Sequence, residues 1–183
     1  MLVIQEGDFI FMKTLLYELY LNLKHYPDFP KEGVDFIDIL PITSDGRLRE
    51  MLRNLLIDTI PKDIDVIVAP ESRGFILAYM LPNYTIIPLR KEGKLPGPTI
   101  KETYTTEYSS DTLEVQQIDL TNKHVWFIDD IGCTLGTYNI ANKLVDRLGG
   151  KLLGGTVLLN IFNEQPEHGI LKELFIEVKD NEE

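Results

Sequence analysis

The chain has 183 residues, 44% of them apolar and 26% charged, with a formal net charge of −11. That length suits one globular domain with a buried core, and its 13 glycines and 10 prolines are an ordinary share that excludes collagen-like, low-complexity and wholly disordered chains. An acidic surface repels polyanions at long range, which argues against nucleic acid and anionic membranes as partners, so any phosphate must be held by a local set of donors.

The first residues, Met1 to Asp8, are apolar and then acidic, with no basic segment of the kind that opens a secretory signal. No apolar run approaches the roughly 18 residues that span a bilayer, and the Asn83-Tyr84-Thr85 sequon reads as accidental. Met12 is a second candidate start, which would make the residues before it dispensable. Leu15, Leu16, Leu19, Tyr20 and Leu23 recur at helical spacing and predict an opening helix from about Met12 to His25. Two prolines and a glycine in Tyr26 to Gly33 then require an extended, turning loop. Val34 to Ile39 reads as a short strand, and Leu48, Met51, Leu52, Leu55, Leu56 and Ile60 mark the apolar face of a second helix.

From Asp65 onward the pattern changes. Asp65 to Ala69 is an apolar strand, followed by the polar turn Pro70 to Gly74 and a helix from Phe75 to Leu81. Thr85 to Leu89 is the next strand. Val125 to Ile128, a turn over Asp129 to Gly136 and a helix from Thr137 to Leu148 repeat the unit, and Leu153 to Ile161 closes with a further strand. Apolar runs alternating with amphipathic helices predict an α/β fold, a mostly parallel central sheet flanked by helices. Ligands of such sheets bind outside the carboxyl ends of the strands, which puts Glu71 to Gly74 and Asp129 to Thr137 on the functional rim. Lys91 to Asp111 is polar, rich in glycine and proline, and long for a plain connection, as expected of a mobile lid or hairpin.

The lone Cys133 excludes an intramolecular disulfide and a cysteine-built zinc site and points to a reducing, cytoplasmic setting. His25, His124 and His168 are not at metal-ligand spacing and read as packing or surface residues. The strongest chemical feature is Val125 to Thr137. Adjacent carboxylates at the end of an apolar strand are expensive unless a metal ion or ligand hydroxyls accept their charge. The small and hydroxylated residues after Asp129 and Asp130 lead into a helix, whose first N–H groups, with Thr134 and Thr137, can converge on a phosphate. The bland alternative is that one carboxylate merely caps the helix.

This stretch resembles the phosphoribosyl pyrophosphate (PRPP) motif of the type I phosphoribosyltransferases. Three further segments are similar to the adenine phosphoribosyltransferase family: Tyr26 to Pro30 with Gly33 and Phe36 to Ile39; Glu71 to Phe75; and Arg90 to Gly97 with Glu107 and Tyr108. They run in family order from about Pro27 to Ile161. The resemblance implies a single domain over 1–183, with a helix and small N-terminal hood at 12–40, a flexible catalytic loop or lid hairpin at 91–111, and a homodimer. It implies transfer of a ribosyl group from PRPP to adenine with Mg²⁺, releasing AMP and pyrophosphate in purine salvage. Asp129 and Asp130 would hold the ribose hydroxyls and lie near the metal, with no protein group ligating it directly. Cys133, Thr134, Leu135, Gly136 and Thr137 would cradle the 5′-phosphate. Ser72 and Arg73 would meet the pyrophosphate, with Arg90, Lys91 and Lys94 adding positive charge. Glu107 would exchange a proton with the purine and Tyr108 would cover the ribosyl centre. Val34, Asp35, Ile37 and Ile161 would line the base.

Four departures from the family pattern touch these residues. Leu135 replaces the first of two glycines, a position that often needs positive φ or a close phosphate approach. Ile37 stands where arginine or lysine is usual, Asn160-Ile161 where Glu-Leu is usual, and Ser109 where glycine follows Glu-Tyr. They keep two alternatives open: a transferase for hypoxanthine, guanine or xanthine, and a PRPP-sensing module without turnover.

Overall fold

The computed structural model of the chain describes residues 6–105, 110–132, 135–160, 165–166 and 169–175, with the backbone alone for 6–11 and 105. It divides into two units, residues up to Leu56 with Leu174 and Phe175, and Ile57–Glu173. In the first, helix α1 (Glu6–Leu21) leads into strand β1 (Lys24–Tyr26), which pairs antiparallel with β2 (Phe36–Asp38), His25 standing opposite Ile37. The helix therefore begins before Met12 and stops short of His25, whose backbone is strand. The predicted Val34–Ile39 strand shrinks to three residues because Leu40 opens the short helix α2 (Leu40–Ser44) with proline in its first turn, where a missing N–H is harmless. Helix α3 (Gly46–Thr59) starts where Asp45 Oδ1 accepts the N–H groups of Arg47 and Leu48, each at 2.9 Å. Leu16, Leu19, Ile39, Ile42, Leu52 and Leu56 are buried in this unit, each contributing about 1.5–3 kcal/mol by leaving water. The rings of Tyr20 and Phe175 meet edge to face at 6.0 Å.

The second unit runs β3 (Val66–Pro70), α4 (Arg73–Ala78), β4 (Thr85–Lys91), β5 (Thr99–Thr105), β6 (Ser110–Gln116), β7 (His124–Gly132), α5 (Gly136–Arg147), β8 (Lys151–Asn160) and β9 (Ile170–Glu173). Its seven-stranded sheet has the order β5-β6-β4-β3-β7-β8-β9. The stretch β4-β3-β7-β8-β9 is parallel, and the hairpin β5-β6 is added antiparallel on β4. The predicted α/β class and mostly parallel sheet are thus present. Every residue of β3 is buried, as expected of a central strand covered on both faces. Val66, Val68, Val125 and Phe127 pack with Tyr138, Ile140, Ala141, Leu144 and Val145 of α5 in one apolar cluster, while α4 lies against β3 and β7.

Three differences from the sequence expectation concern the functional rim. Asp129 to Gly132 continue strand β7 rather than forming the turn, since Asp129 pairs in register with Val157 and Gly132 with Asn160. In the polar segment after Lys91, where a lid or hairpin is expected, Thr99–Thr105 pairs antiparallel with Ser110–Gln116, so the strand pairing runs past Asp111 to Gln116. An edge strand, β9, extends the sheet beyond the strand expected to close it.

Candidate active site

At the carboxyl ends of β3 and β7 a cavity of about 390 Å³ is lined by Ser72, Arg73, Asp129, Asp130, Leu135 and Thr137 among the expected residues. The sheet topology brings these together from two separate strand-to-helix connections, at Pro70–Arg73 and Gly132–Gly136. The Glu71–Ser72 peptide is cis. Gly74, in the first turn of α4, allows the close approach of helix and strand. A Cβ there would lie 2.8 Å from Cδ of Pro70, 3.1 Å from the carbonyl oxygen of Ile128 and 3.2 Å from Oδ1 of Asp129.

The acid pair is the electrostatic centre of the cavity. Asp129 Oδ1 accepts the N–H of Asp130 at 2.9 Å. Oδ2 of Asp130 faces Nε of Arg73 at 2.8 Å as an ion pair, yet completes no hydrogen bond among the described residues. Burial, then the charge of Asp130 beside it, pushes the Asp129 carboxyl well above its ordinary value. Burial also raises Asp130, against the opposing pull of Arg73. Both carboxyls are thus raised, and a ligand that brought hydroxyl donors or a cation to the pair would draw them back down.

The other expected cations are placed differently. Arg90 gives its Nε to Glu71 Oε2 at 2.6 Å, the Lys91 N–H reaches the same oxygen at 3.0 Å, and the Arg90 guanidinium lies over the Phe75 ring. Burial pushes Glu71 up, but these two donors more than offset it and its pKa is lowered. The Lys94 N–H is given to Glu114 at 2.7 Å. Arg90, Lys91 and Lys94 are not among the cavity walls.

Leu135 takes φ −70° at the start of α5, a value open to any L residue, and packs on the apolar cluster, so the position tolerates leucine without strain. Gly136 is buried beneath the ring of Tyr104. In the first unit, Val34 donates its N–H to the Lys31 carbonyl and accepts that of Phe29 at its own, Asp35 pairs with His25 at 2.8 Å, and Ile37 is buried in β2. Glu107, Tyr108, Cys133, Thr134 and Ile161 lie outside the described residues, as do Ser109 and His168. His124 stands at the opposite end of β7 from the acid pair, beside Asp63 and Asp65.

Sequence reasoning missed Asp111 and Tyr138, which also line the cavity. Tyr138 is buried against Phe127, ring centroids 5.5 Å apart, and burial pushes its phenol up to about 12. Its spacing to Ala141 and Val145 marks the inward face of α5, a signal present in the sequence. Asp111 gave no such signal, because only the pairing of β6 with β4 brings it to the rim.

No family model matches the chain. Among curated proteins, the adenine phosphoribosyltransferase of Nitrosopumilus maritimus is 39% identical over 156 residues, covering 82% of this chain and 92% of that protein. That of Cenarchaeum symbiosum is 44% identical over 142 residues, covering 75% and 84%. Among solved structures, the Saccharomyces cerevisiae adenine phosphoribosyltransferase, complexed with D-2,5-dideoxy-2,5-imino-altritol 1,6-bisphosphate and adenine, is similar with a TM-score of 0.79 and 35% identity, over 88% of this chain and 99% of that one.

Proposed function

The chain belongs to the adenine phosphoribosyltransferase family, and from that premise we propose that it is a pentosyltransferase that moves the phosphoribosyl group of PRPP to adenine in purine salvage, releasing AMP and pyrophosphate. The observation that carries this reading is the cavity that joins half-buried Asp129, buried Asp130, Ser72-Arg73 and the start of α5. In the reaction the C1′–O bond to pyrophosphate breaks, the N9–C1′ bond forms, and the proton leaves N9 of the base.

Each group has a distinct task. Asp129 and Asp130 accept hydrogen bonds from the ribose hydroxyls, which fixes the ring while positive charge develops at C1′. The first turn of α5 presents backbone N–H groups to the 5′-phosphate, with Cys133, Thr134, Leu135, Gly136 and Thr137 as the cradle. Ser72 and the planar fork of Arg73 receive the pyrophosphate. Glu107 takes the base proton, Tyr108 covers the centre, and Val34, Asp35, Ile37 and Ile161 serve the base. Arg90, Lys91 and Lys94 add cationic potential, and the active species is a homodimer in the cytoplasm, where a lone cysteine is suited to reducing conditions.

The residues fit Mg²⁺ carried by the donor with Asp129 and Asp130 nearby, since the acid pair has an oxygen that completes no hydrogen bond among the described residues, Asp130 Oδ2. Bound there with PRPP, Mg²⁺ would neutralise charge on the departing pyrophosphate. Assaying adenine, hypoxanthine, guanine and xanthine with Mg²⁺ and PRPP tests the reading. AMP formation from adenine is expected. Activity on a 6-oxopurine with none on adenine, or PRPP binding without turnover of any base, would overturn it.

A further inference from the structure

The hairpin and the phosphate loop are separate in sequence but touch through one aromatic ring. A Cβ added to Gly136 would fall 2.6 Å from Cδ1, 2.8 Å from Cε1 and 3.2 Å from Cγ of Tyr104. The ring thus lies flush on the backbone where α5 begins, and only a glycine fits beneath it. Tyr104 comes from β5, whose alternate residues Ile100, Glu102 and Tyr104 share one face. Ile100 and Tyr104 pack on the apolar cluster that contains the α5 side chains, as does Leu135 immediately before Gly136. Glu102 and the Lys101 carbonyl both receive Nη1 of Arg147, at 2.6 and 2.9 Å. The strand is therefore fastened to α5 near both helix ends, and Tyr104 is the fastening at the ligand end.

We propose that Tyr104 is a positioning residue for phosphoribosyl transfer, its ring on Gly136 setting the first turn of α5 to receive the 5′-phosphate and tying that turn to the strand that leads into Glu107 and Tyr108. This rests on the reading of residues 133–137 as the phosphate cradle. The ring face makes the contact, so an aromatic ring suffices and the hydroxyl is not required. Removing the ring leaves α5 intact but frees its first turn, and a displaced cradle weakens the hold on the donor before it affects the base.

Steady-state kinetics with Mg²⁺-PRPP and adenine on Tyr104→Phe, Tyr104→Ala, Gly136→Ala and the Tyr104→Ala/Gly136→Ala double variant test this, with thermal unfolding to confirm folding. Tyr104→Ala should raise KM for PRPP about tenfold, as expected of a small misplacement of a binding group, while KM for adenine stays within about twofold of the parent value. Tyr104→Phe should restore the parent KM. Gly136→Ala should impair PRPP more severely, and adding Tyr104→Ala should recover part of the loss, because the new methyl then has room. An unchanged KM for PRPP in folded Tyr104→Ala, or strictly additive losses in the double variant, overturns the inference and leaves the assigned reaction standing. A parent protein that neither binds nor turns over PRPP overturns both.

Discussion

Asp130 and Glu114 each expose 4% of their surface and stand on strands of one sheet, yet they titrate in opposite directions from an ordinary carboxylate. Burial pushes both up. At Glu114 it is outweighed by the N–H groups of Leu95, Lys94 and Gly93, and its pKa is lowered. At Asp130 the charge of Arg73 and backbone N–H groups, that of Ile131 among them, pull the other way, yet burial wins. Low exposure therefore does not distinguish a structural acid from a functional one; the balance between burial and the groups that oppose it does. Glu114 pins the turn at Gly93–Leu95 to the hairpin and is satisfied. The pair on β7 is held in an apolar frame with capacity left over, as a site waiting for hydroxyls or a cation would be.

The sharpest way to break this contrast is Asp129→Asn. We expect kcat/KM to fall about 10²- to 10³-fold, the usual range for losing one preorganised transition-state contact, while the protein becomes more stable at neutral pH. The sign follows from linkage. Because the folded pKa is raised, the contribution of Asp129 to stability is fully present below its unfolded value of about 3.9 and is lost as pH rises through the folded value. Thermal unfolding from pH 4 to 8 should therefore show the variant gaining on the parent as pH increases, by a few degrees, about 1 kcal/mol or more.

Gly74→Ala comes next. Its methyl would press on Pro70, the Ile128 carbonyl and the Asp129 carboxyl, so a loss of about 1–3 kcal/mol in unfolding free energy is expected, with a fall in kcat/KM. Equal stability and activity would show that α4 moves aside freely.

Glu114→Gln probes the satisfied acid. It should lower the melting temperature at pH 7 and leave KM for both substrates near the parent values. Here the pH sign is reversed. A carboxyl with a lowered folded pKa contributes stability above its unfolded value of about 4.3 that is lost as pH falls through the folded one, so variant and parent should converge in acid. Arg147→Ala should have the smallest effect, within about 1 kcal/mol, because its ion pair with Glu102 is partly open to solvent and screened by it.

How far the sequence discloses such differences depends on what surrounds each segment. Strands β3, β7 and β8 stand out as apolar runs because burial on both faces leaves little room for polar residues, and β4 stands out by its apolar start, Ile86-Ile87, although its burial alternates. Strands β1 and β5 do not, since Lys24-His25-Tyr26 and Thr99 to Thr105 are exposed or half-exposed wherever their side chains are described, whereas β2 lies within the strand read at Val34–Ile39. Edge strand β9, four residues with a lysine and a glutamate, carries too short a pattern. At the site, Asp129 and Asp130 were evident because charge at the end of an apolar run demands an explanation. That Arg73 faces Asp130 while Arg90 faces Glu71 could not be read, because both pairings bring together residues from different strand ends. Leu135 looked disruptive on the assumption of a positive φ or a close phosphate approach, and its backbone angle of −70° removes the first of these grounds.

The most direct test of the central claim is proton release on binding Mg²⁺-PRPP, measured by titration calorimetry in buffers of different ionisation enthalpy. If the Asp129–Asp130 pair holds a proton that ligand hydroxyls displace, the parent protein should release about one proton more than Asp129→Asn near neutral pH. Equal proton release by the two proteins, with binding intact in both, would contradict it.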